Sequence, residues 1–267
     1  MTTSHGIEPA RQASTSEKLT NDHKRVLGGA LVGTTIEWFD FFIYAQAAGL
    51  IFATQFFNPV ADASPGLAQI IAWASLGISF LFRPFGAILA GHLGDRIGRK
   101  PVLVLTLVGM GLATFLMGLM PNYEAWGIAA PILFVVLRIV QGMSAGGEWG
   151  GAALIAVEHA PVLRRGYFGA FPQLGVPLGM MLATIMMLTL TAAMTPEQFE
   201  AWGWRIPFLS SLALILVGVF IRRAVEESPV FTEMEQLRER SSAPLKDLFA
   251  GHSKLVGQCA LIFAGNN

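Results

Sequence analysis

Gly91-His92-Leu93-Gly94-Asp95-Arg96-Ile97-Gly98-Arg99-Lys100 is a short charged clasp set between two long apolar runs. Before it lies a hydrophobic stretch from about Leu67 to Ala90, and after it another from Pro101 to about Met120. A membrane-spanning helix needs roughly 20 mainly apolar residues, and both flanks are that long. A glycine-rich loop with one acid and three bases between such flanks reads as a tight cytoplasmic turn of a polytopic membrane protein.

Composition agrees. Only 13% of the 267 residues are charged and 53% are hydrophobic, with a mean hydropathy of +0.55. Soluble domains carry about a quarter charged residues, so the chain falls in the membrane class. The formal net charge of zero argues against a nucleic-acid binder working through a general basic field. Cys259 is the only cysteine, which excludes an intrachain disulfide and a thiolate metal cluster. His5, His23, His92, His159 and His252 are scattered, mostly in tails and loops, so a zinc site is not indicated. No phosphate-binding Gly-x-x-x-x-Gly-Lys-Ser/Thr loop and no Gly-x-Ser-x-Gly elbow is present. Nothing in the sequence reads as a soluble enzyme, and no metal site is expected.

Outward from the clasp, six segments are long and apolar enough to span: about 26–53, 67–91, 101–120, 128–156, 167–191 and 205–222. Residues 1–25 read as a disordered cytoplasmic tail, 26–223 as a six-helix transmembrane bundle, and 224–252 as a charged cytoplasmic linker. A seventh helix begins at 253–267 and is too short to cross, so the chain is expected to be truncated inside it. Basic residues alternate with the spans. Lys24 and Arg25, then Arg96, Arg99 and Lys100, then Arg164 and Arg165, then Arg222 and Arg223 fall on one side. The loops 54–66, 121–127 and 192–204 contain no Lys or Arg. This places the N-terminus in the cytoplasm. Arg205, at an outer boundary, stands near Trp202 and Trp204, which suit an interfacial belt.

Ionisable residues inside a span are expensive unless paired or hydrated, and each is a functional candidate by default. Here they are Glu37, Asp40, Arg83, Arg138 and Glu148. Glu37 and Asp40 lie three residues apart on neighbouring parts of one helix face. Counting about 1.5 Å per residue, they and Arg138 fall near mid-membrane. Arg138, Gln141, Ala145 and Glu148 form a single stripe. A midplane acid on one helix and a midplane arginine on another suit a proton-coupled carrier of anions. The alternative is a structural ion-pair network. Arg83, next to Pro84, reads as structural pairing or snorkelling. If six helices pack as one bundle, its inner face would expose Glu37, Asp40 and Arg138 to lipid or to a partner. Glycines at four-residue spacing, among them Gly142/Gly146 and Gly175/Gly179, suit close helix approach.

The clasp resembles the signature between helices two and three of the major facilitator superfamily: Gly91, Asp95, Arg96, Gly98, Arg99 and Lys100 fill every position. Arg138-Ile139-Val140-Gln141-Gly142 resembles that superfamily's helix-four pattern, whose arginine is associated with proton transfer. A narrower resemblance, to the metabolite:H+ symporter family, rests on Gly33-Thr34-Thr35-Ile36-Glu37-Trp38-Phe39-Asp40-Phe41-Phe42 and on Gly146-Gly147-Glu148-Trp149-Gly150-Gly151-Ala152. Phe171-Pro172-Gln173-Leu174-Gly175-Val176-Pro177 is most similar to the shikimate-type and related organic-acid carriers. The Gly-Pro-x-x-Gly-Gly antiporter signature is absent, since Leu178-Gly179-Met180 follows Pro177.

The resemblance implies an all-α integral membrane protein: a six-helix N-terminal bundle of the major facilitator fold plus the start of a seventh helix. It implies a secondary carrier that symports a small organic acid with protons by alternating access in a bacterial inner membrane. Carriers of α-ketoglutarate, citrate, and proline or betaine belong to the same family. Asp40, Glu37 and Arg138 would then couple protons, with Arg138, Gln141, Gln173 and Glu148 as substrate contacts. Gly91, Asp95, Arg96, Gly98, Arg99 and Lys100 would form a conformational gate. The implied partners are a small-molecule substrate, protons, the lipid bilayer and a missing C-terminal six-helix half, with no cofactor beyond the coupling proton. An osmolyte symporter and a non-transporting membrane sensor or scaffold are the rival readings.

Overall fold

A chain without water to satisfy its backbone crosses a bilayer only as helices or a closed barrel, and this sequence takes the helical route. The structure, a computed structural model, describes residues 19–223, 251 and 253–259. Six long helices carry it: α1 (Asn21–Leu50), α2 (Pro65–Ile97), α3 (Arg99–Leu119), α4 (Ala129–Glu158), α5 (Arg165–Ala193) and α6 (Arg205–Arg223). All six are long and apolar enough to span a membrane. Short helical turns at Phe52–Phe56, Asn58–Ala63, Tyr123–Trp126 and Pro196–Gln198 join them at the end of the bundle away from the clasp.

Local sequence explains where these helices start. Thr20 caps α1: its hydroxyl accepts from the His23 amide at 3.2 Å, and His23 Nδ1 accepts from the Thr20 amide. Ser64 caps α2, with Pro65 at the first helical position, where its missing N–H has no consequence. The helices also overrun the expected spans. At about 1.5 Å per residue, the 30 residues of α1 reach well past a hydrocarbon core of about 30 Å.

Two expectations are corrected by this overrun. Residues 21–25 belong to the first turns of α1 rather than to a disordered tail, while 1–18 lie outside the described residues. The clasp is not a loop: Gly91–Ile97 continue α2, and only Gly98 breaks it, at φ 101° and ψ 155°, before α3 starts at Arg99. A side chain is strained at that positive φ, so glycine is needed at this one position. Of the expected linker, only Gly251 is described, and of the expected seventh helix, residues 253–259, which are helical.

Helix α1 packs along α5 and α2 along α4, while α3 packs on both α4 and α6. Small residues make the closest contacts. A Cβ on Gly142 or Gly146 of α4 would collide with the backbone of Ser79 or Arg83 in α2, and one on Gly179 of α5 would collide with α1. At the end away from the clasp, Tyr44, Phe52, Phe56, Phe134, Trp204 and Phe208 form a buried aromatic core. Phe56 and Phe134 stack with ring centroids 4.5 Å apart. Trp204 is therefore a core residue and not part of an interfacial belt; Trp202 remains exposed. The Arg205 guanidinium lies 4.4 Å above the Trp204 ring, just after the π-helical turn Phe199–Gly203.

Candidate functional site

Glu37, Asp40 and Arg138, expected to face lipid or a partner, are instead buried in the bundle, as is Glu148. Glu37, Asp40, Arg138 and Glu148 are 2%, 0%, 1% and 0% exposed. Burial of ionisable groups inside a bundle requires partners, and the structure supplies them to Asp40, Arg138 and Glu148 in two separate clusters.

The first is organised around Asp40. Its Oδ1 accepts from Ser211 Oγ of α6 at 2.6 Å, and its Oδ2 accepts from Thr114 Oγ1 of α3 at 2.9 Å. Thr114 in turn accepts from Gln141 Nε2 of α4 at 2.8 Å. Gln141 Oε1 accepts from Arg138 Nη1, one helical turn earlier on α4. The guanidinium of Arg138 lies 3.4 Å above the ring of Tyr44, which keeps it over an aromatic face rather than beside a carboxylate. Tyr44 closes the chain through Ser75 Oγ at 2.5 Å, on α2. The acid and the arginine singled out in the sequence are thus brought into one relay, joined by neutral groups and not as a direct ion pair. Arg138 Nε and Nη2 have no hydrogen-bond partner among the described residues.

The second cluster is organised around Glu148. Both of its oxygens are taken by Arg222 of α6, with Arg222 Nη1 to Oε2 at 2.7 Å and Nη2 to Oε1 closing a two-point fork. Thr106 Oγ1 of α3 donates to Oε2 at 3.2 Å, and Arg222 Nη1 also donates to the Leu103 carbonyl at 2.6 Å. Gly33 of α1 leaves the space that the Arg222 guanidinium fills. Glu148 is held away from the Asp40 relay, so its predicted role as a substrate contact has no geometric support beside Asp40 or Arg138.

Glu37 stands between the two. Its Oε1 lies 3.6 Å from Arg83 Nη2 of α2, and neither carboxylate oxygen has a hydrogen-bond partner among the described residues. Gln173 is exposed on α5 and joins neither cluster. Among the clasp residues, Arg99 Nη2 pairs with Glu158 Oε1 of α4 at 3.0 Å, and Lys100 Nζ donates to the Arg223 carbonyl at the end of α6 at 2.9 Å. Asp95 is partly exposed and Arg96 exposed.

Sequence reasoning missed Thr114, Ser211, Tyr44 and Ser75, because single hydroxyls are ordinary in apolar helices. It also counted Arg222 as a loop charge, although the residue is 5% exposed. One signal was available: Thr106 and Thr114 lie eight residues apart, on one face of α3. Among the described residues, no group of three or more His, Cys, Asp or Glu could hold a metal ion.

The family profile described as "Sugar (and other) transporter" matches residues 27–258. The inner membrane metabolite transport protein YhjE of Escherichia coli (strain K12) is 44% identical over 236 residues, covering 88% of this chain and 53% of that protein. The shikimate transporter of the same strain is 42% identical over 212 residues, covering 79% of this chain and 48% of that protein. A putative proline/betaine transporter of Staphylococcus aureus (strain COL) is 42% identical over 208 residues, covering 78% and 44%. The chain spans about half the length of the curated relatives it matches. Among solved structures, the major facilitator proton:xylose symporter XylE bound to 6-bromo-6-deoxy-D-glucose superposes with a TM-score of 0.74 at 18% identity, covering 91% of this chain and 52% of that one. The fold is that of one half of a major facilitator protein.

Proposed function

The chain belongs to the sugar (and other) transporter family, a multi-pass membrane protein and not an enzyme, and from that premise we propose that it serves proton-coupled symport of a small organic acid. The reading places it in a bacterial inner membrane with a cytoplasmic N-terminus. Alternating access would move the solute past a site near the bilayer midplane. The clasp from Gly91 to Lys100 would act in the conformational gate.

The observation that carries the reading is Asp40 held by two hydroxyls, with Arg138 one step removed. An ionised carboxylate accepts only, whereas a protonated one donates from one oxygen. Protonation of Asp40 on its Thr114 side would make that hydroxyl an acceptor and send its hydrogen to the Met110 carbonyl, already 3.1 Å away. Thr114 is also the acceptor on which Gln141, and through it Arg138, depends. A proton on α1 is thereby felt by an arginine on α4 through hydrogen-bond rotation, with no charge leaving the bundle. A direct Asp40–Arg138 pair would hold the carboxylate ionised and resist that exchange.

Relatedness to a shikimate transporter supports an organic acid as the solute. The putative proline/betaine transporter, equally identical, supports an osmolyte as the second reading; uptake that rises with external osmolality would favour it. The coupling test is pH-driven uptake in proteoliposomes of the intact protein. Asp40→Asn is expected to abolish accumulation against a gradient while leaving exchange at equal concentrations. Unchanged accumulation would sink the coupling role.

A further inference from the structure

We infer that Arg83 is the docking cation for a carboxylate of the solute, with the Phe41–Phe80 ring pair as the apolar shelf for its carbon skeleton. This rests on the organic-acid reading above and names the group that would recognise that acid.

Of the five ionisable residues the sequence places inside spans, Arg83 alone reaches the bundle surface. Its side chain is 23% exposed, against 1% for Glu37 beside it. Arg138 offers no competing site: it is 1% exposed, with Nη1 committed to Gln141 and its face on Tyr44. Arg83 is also loosely held. Its contact with Glu37 spans 3.6 Å, beyond the usual 2.7–3.2 Å of an N–H···O bond. Its Nε is buried without a hydrogen-bond partner among the described residues. A guanidinium has five N–H groups in a planar fork that matches a carboxylate, and this one leaves its fork largely unused.

The surroundings select the ligand. The Arg83 guanidinium lies 4.6 Å over the ring of Phe80, which is 45% exposed and meets Phe41 edge-on at 5.4 Å. Trp38 continues the aromatic surface at 5.5 Å from Phe41, with a buried indole N–H that has no hydrogen-bond partner among the described residues. An exposed ring beside a partly exposed forked cation fits a compact carboxylate with a flat or cyclic carbon frame. A zwitterion would need a second, anionic anchor, and Glu37 is closed to it at 1% side-chain exposure. Glu37 instead acts as a positioning residue, steering Arg83 without consuming its hydrogen bonds. The backbone of Arg83 is clamped against Gly146 of α4, so the side chain can swing on a fixed stem.

The test compares shikimate with its methyl ester, and α-ketoglutarate as a second acid, in proteoliposomes of the intact protein. A charge-assisted fork is worth about 1.5–3 kcal/mol, which converts to roughly 10- to 100-fold in KM. Arg83→Gln is expected to raise KM for shikimate by that factor while leaving inhibition by the ester unchanged. Arg83→Lys, which keeps the charge and loses the fork, should give a smaller rise with the ester again unaffected, and it decides the matter if the glutamine variant fails to insert. Equal losses for acid and ester, or an unchanged KM for the acid in either inserted variant, would overturn the proposal. A wild-type protein that takes up proline or betaine but neither acid would refute the organic-acid reading itself, before any variant is made.

Discussion

Asp40 and Glu148 are both fully buried carboxylates, each near one arginine of another helix or turn, and their settings differ in one respect. Glu148 meets Arg222 directly, oxygen to nitrogen at two points. Asp40 meets only hydroxyls, and its arginine sits behind Thr114 and Gln141. Burial is the same, so burial does not assign the roles. The direct fork has no acceptor left to rearrange and ties α4 to α6 as a strut. The hydroxyl-lined acid can gain or lose a proton by turning two small groups, which suits a group that works.

The largest effect expected from this contrast is on the strut. Removing one partner of a buried pair leaves the other charge unmatched, at about 3–5 kcal/mol. Glu148→Ala should therefore lower unfolding stability in detergent by that amount and cut the yield of inserted protein. Replacing both partners with apolar residues, Glu148→Leu with Arg222→Met, should recover most of it. Any protein that does insert should still couple protons. Asp40→Asn should behave in the opposite way, well folded and uncoupled. If Asp40→Asn collapses the fold while the Glu148 double variant stops accumulation, the comparison is reversed and the assignment of roles with it.

A medium effect sharpens the relay. Thr114→Val keeps shape but deletes the hydroxyl that donates to Asp40 and accepts from Gln141. A hydrogen bond to a charged group is worth about 1.5–3 kcal/mol. The expected outcome is roughly a tenfold or larger loss in proton-driven uptake, with Thr114→Ser close to wild type. Thr106→Val, which removes only a 3.2 Å side bond at Glu148, should leave uptake unchanged. Equal losses from the two would mean that neither hydroxyl relays anything.

The spans and their charges were legible in the sequence because hydropathy and the rarity of buried charge are strong signals. All six helices fall where apolar runs lie, and Glu37, Asp40, Arg138 and Glu148 are the buried acids and base that intramembrane charge singled out. Their pairing was not legible. Asp40 and Arg138 look like a salt bridge on paper, because a threonine at position 114 is chemically unremarkable until α3 is set between α1 and α4. Arg222 was read by the rule that counts basic residues near span ends, which does not ask whether the side chain turns inward. The clasp reads as a loop because glycine breaks soluble helices, whereas glycine is common inside membrane helices; all seven residues from Gly91 to Ile97 are helical, and no proline interrupts them. Arg83 reads as structural in the sequence, since its partial exposure cannot be read from a neighbouring proline.

The smallest effect lies at the clasp, where the strut's end meets it. Lys100 donates to the Arg223 carbonyl of α6 at 2.9 Å, in an exposed position. An exposed charged contact of this kind contributes about 0.2–1 kcal/mol, less at high salt. Lys100→Met should cost about that much stability, measured by thermal unfolding in detergent, and the difference should shrink as salt is raised. Glu148→Ala should keep its full penalty at the same salt, because its pair is buried and poorly screened. Arg99, bound to Glu158, is used inside this bundle in the same way. Asp95 is not: no described residue pairs with its carboxylate, although it sits within the same turn of chain. Two of the clasp's bases therefore brace this bundle, while its acid stays partly exposed.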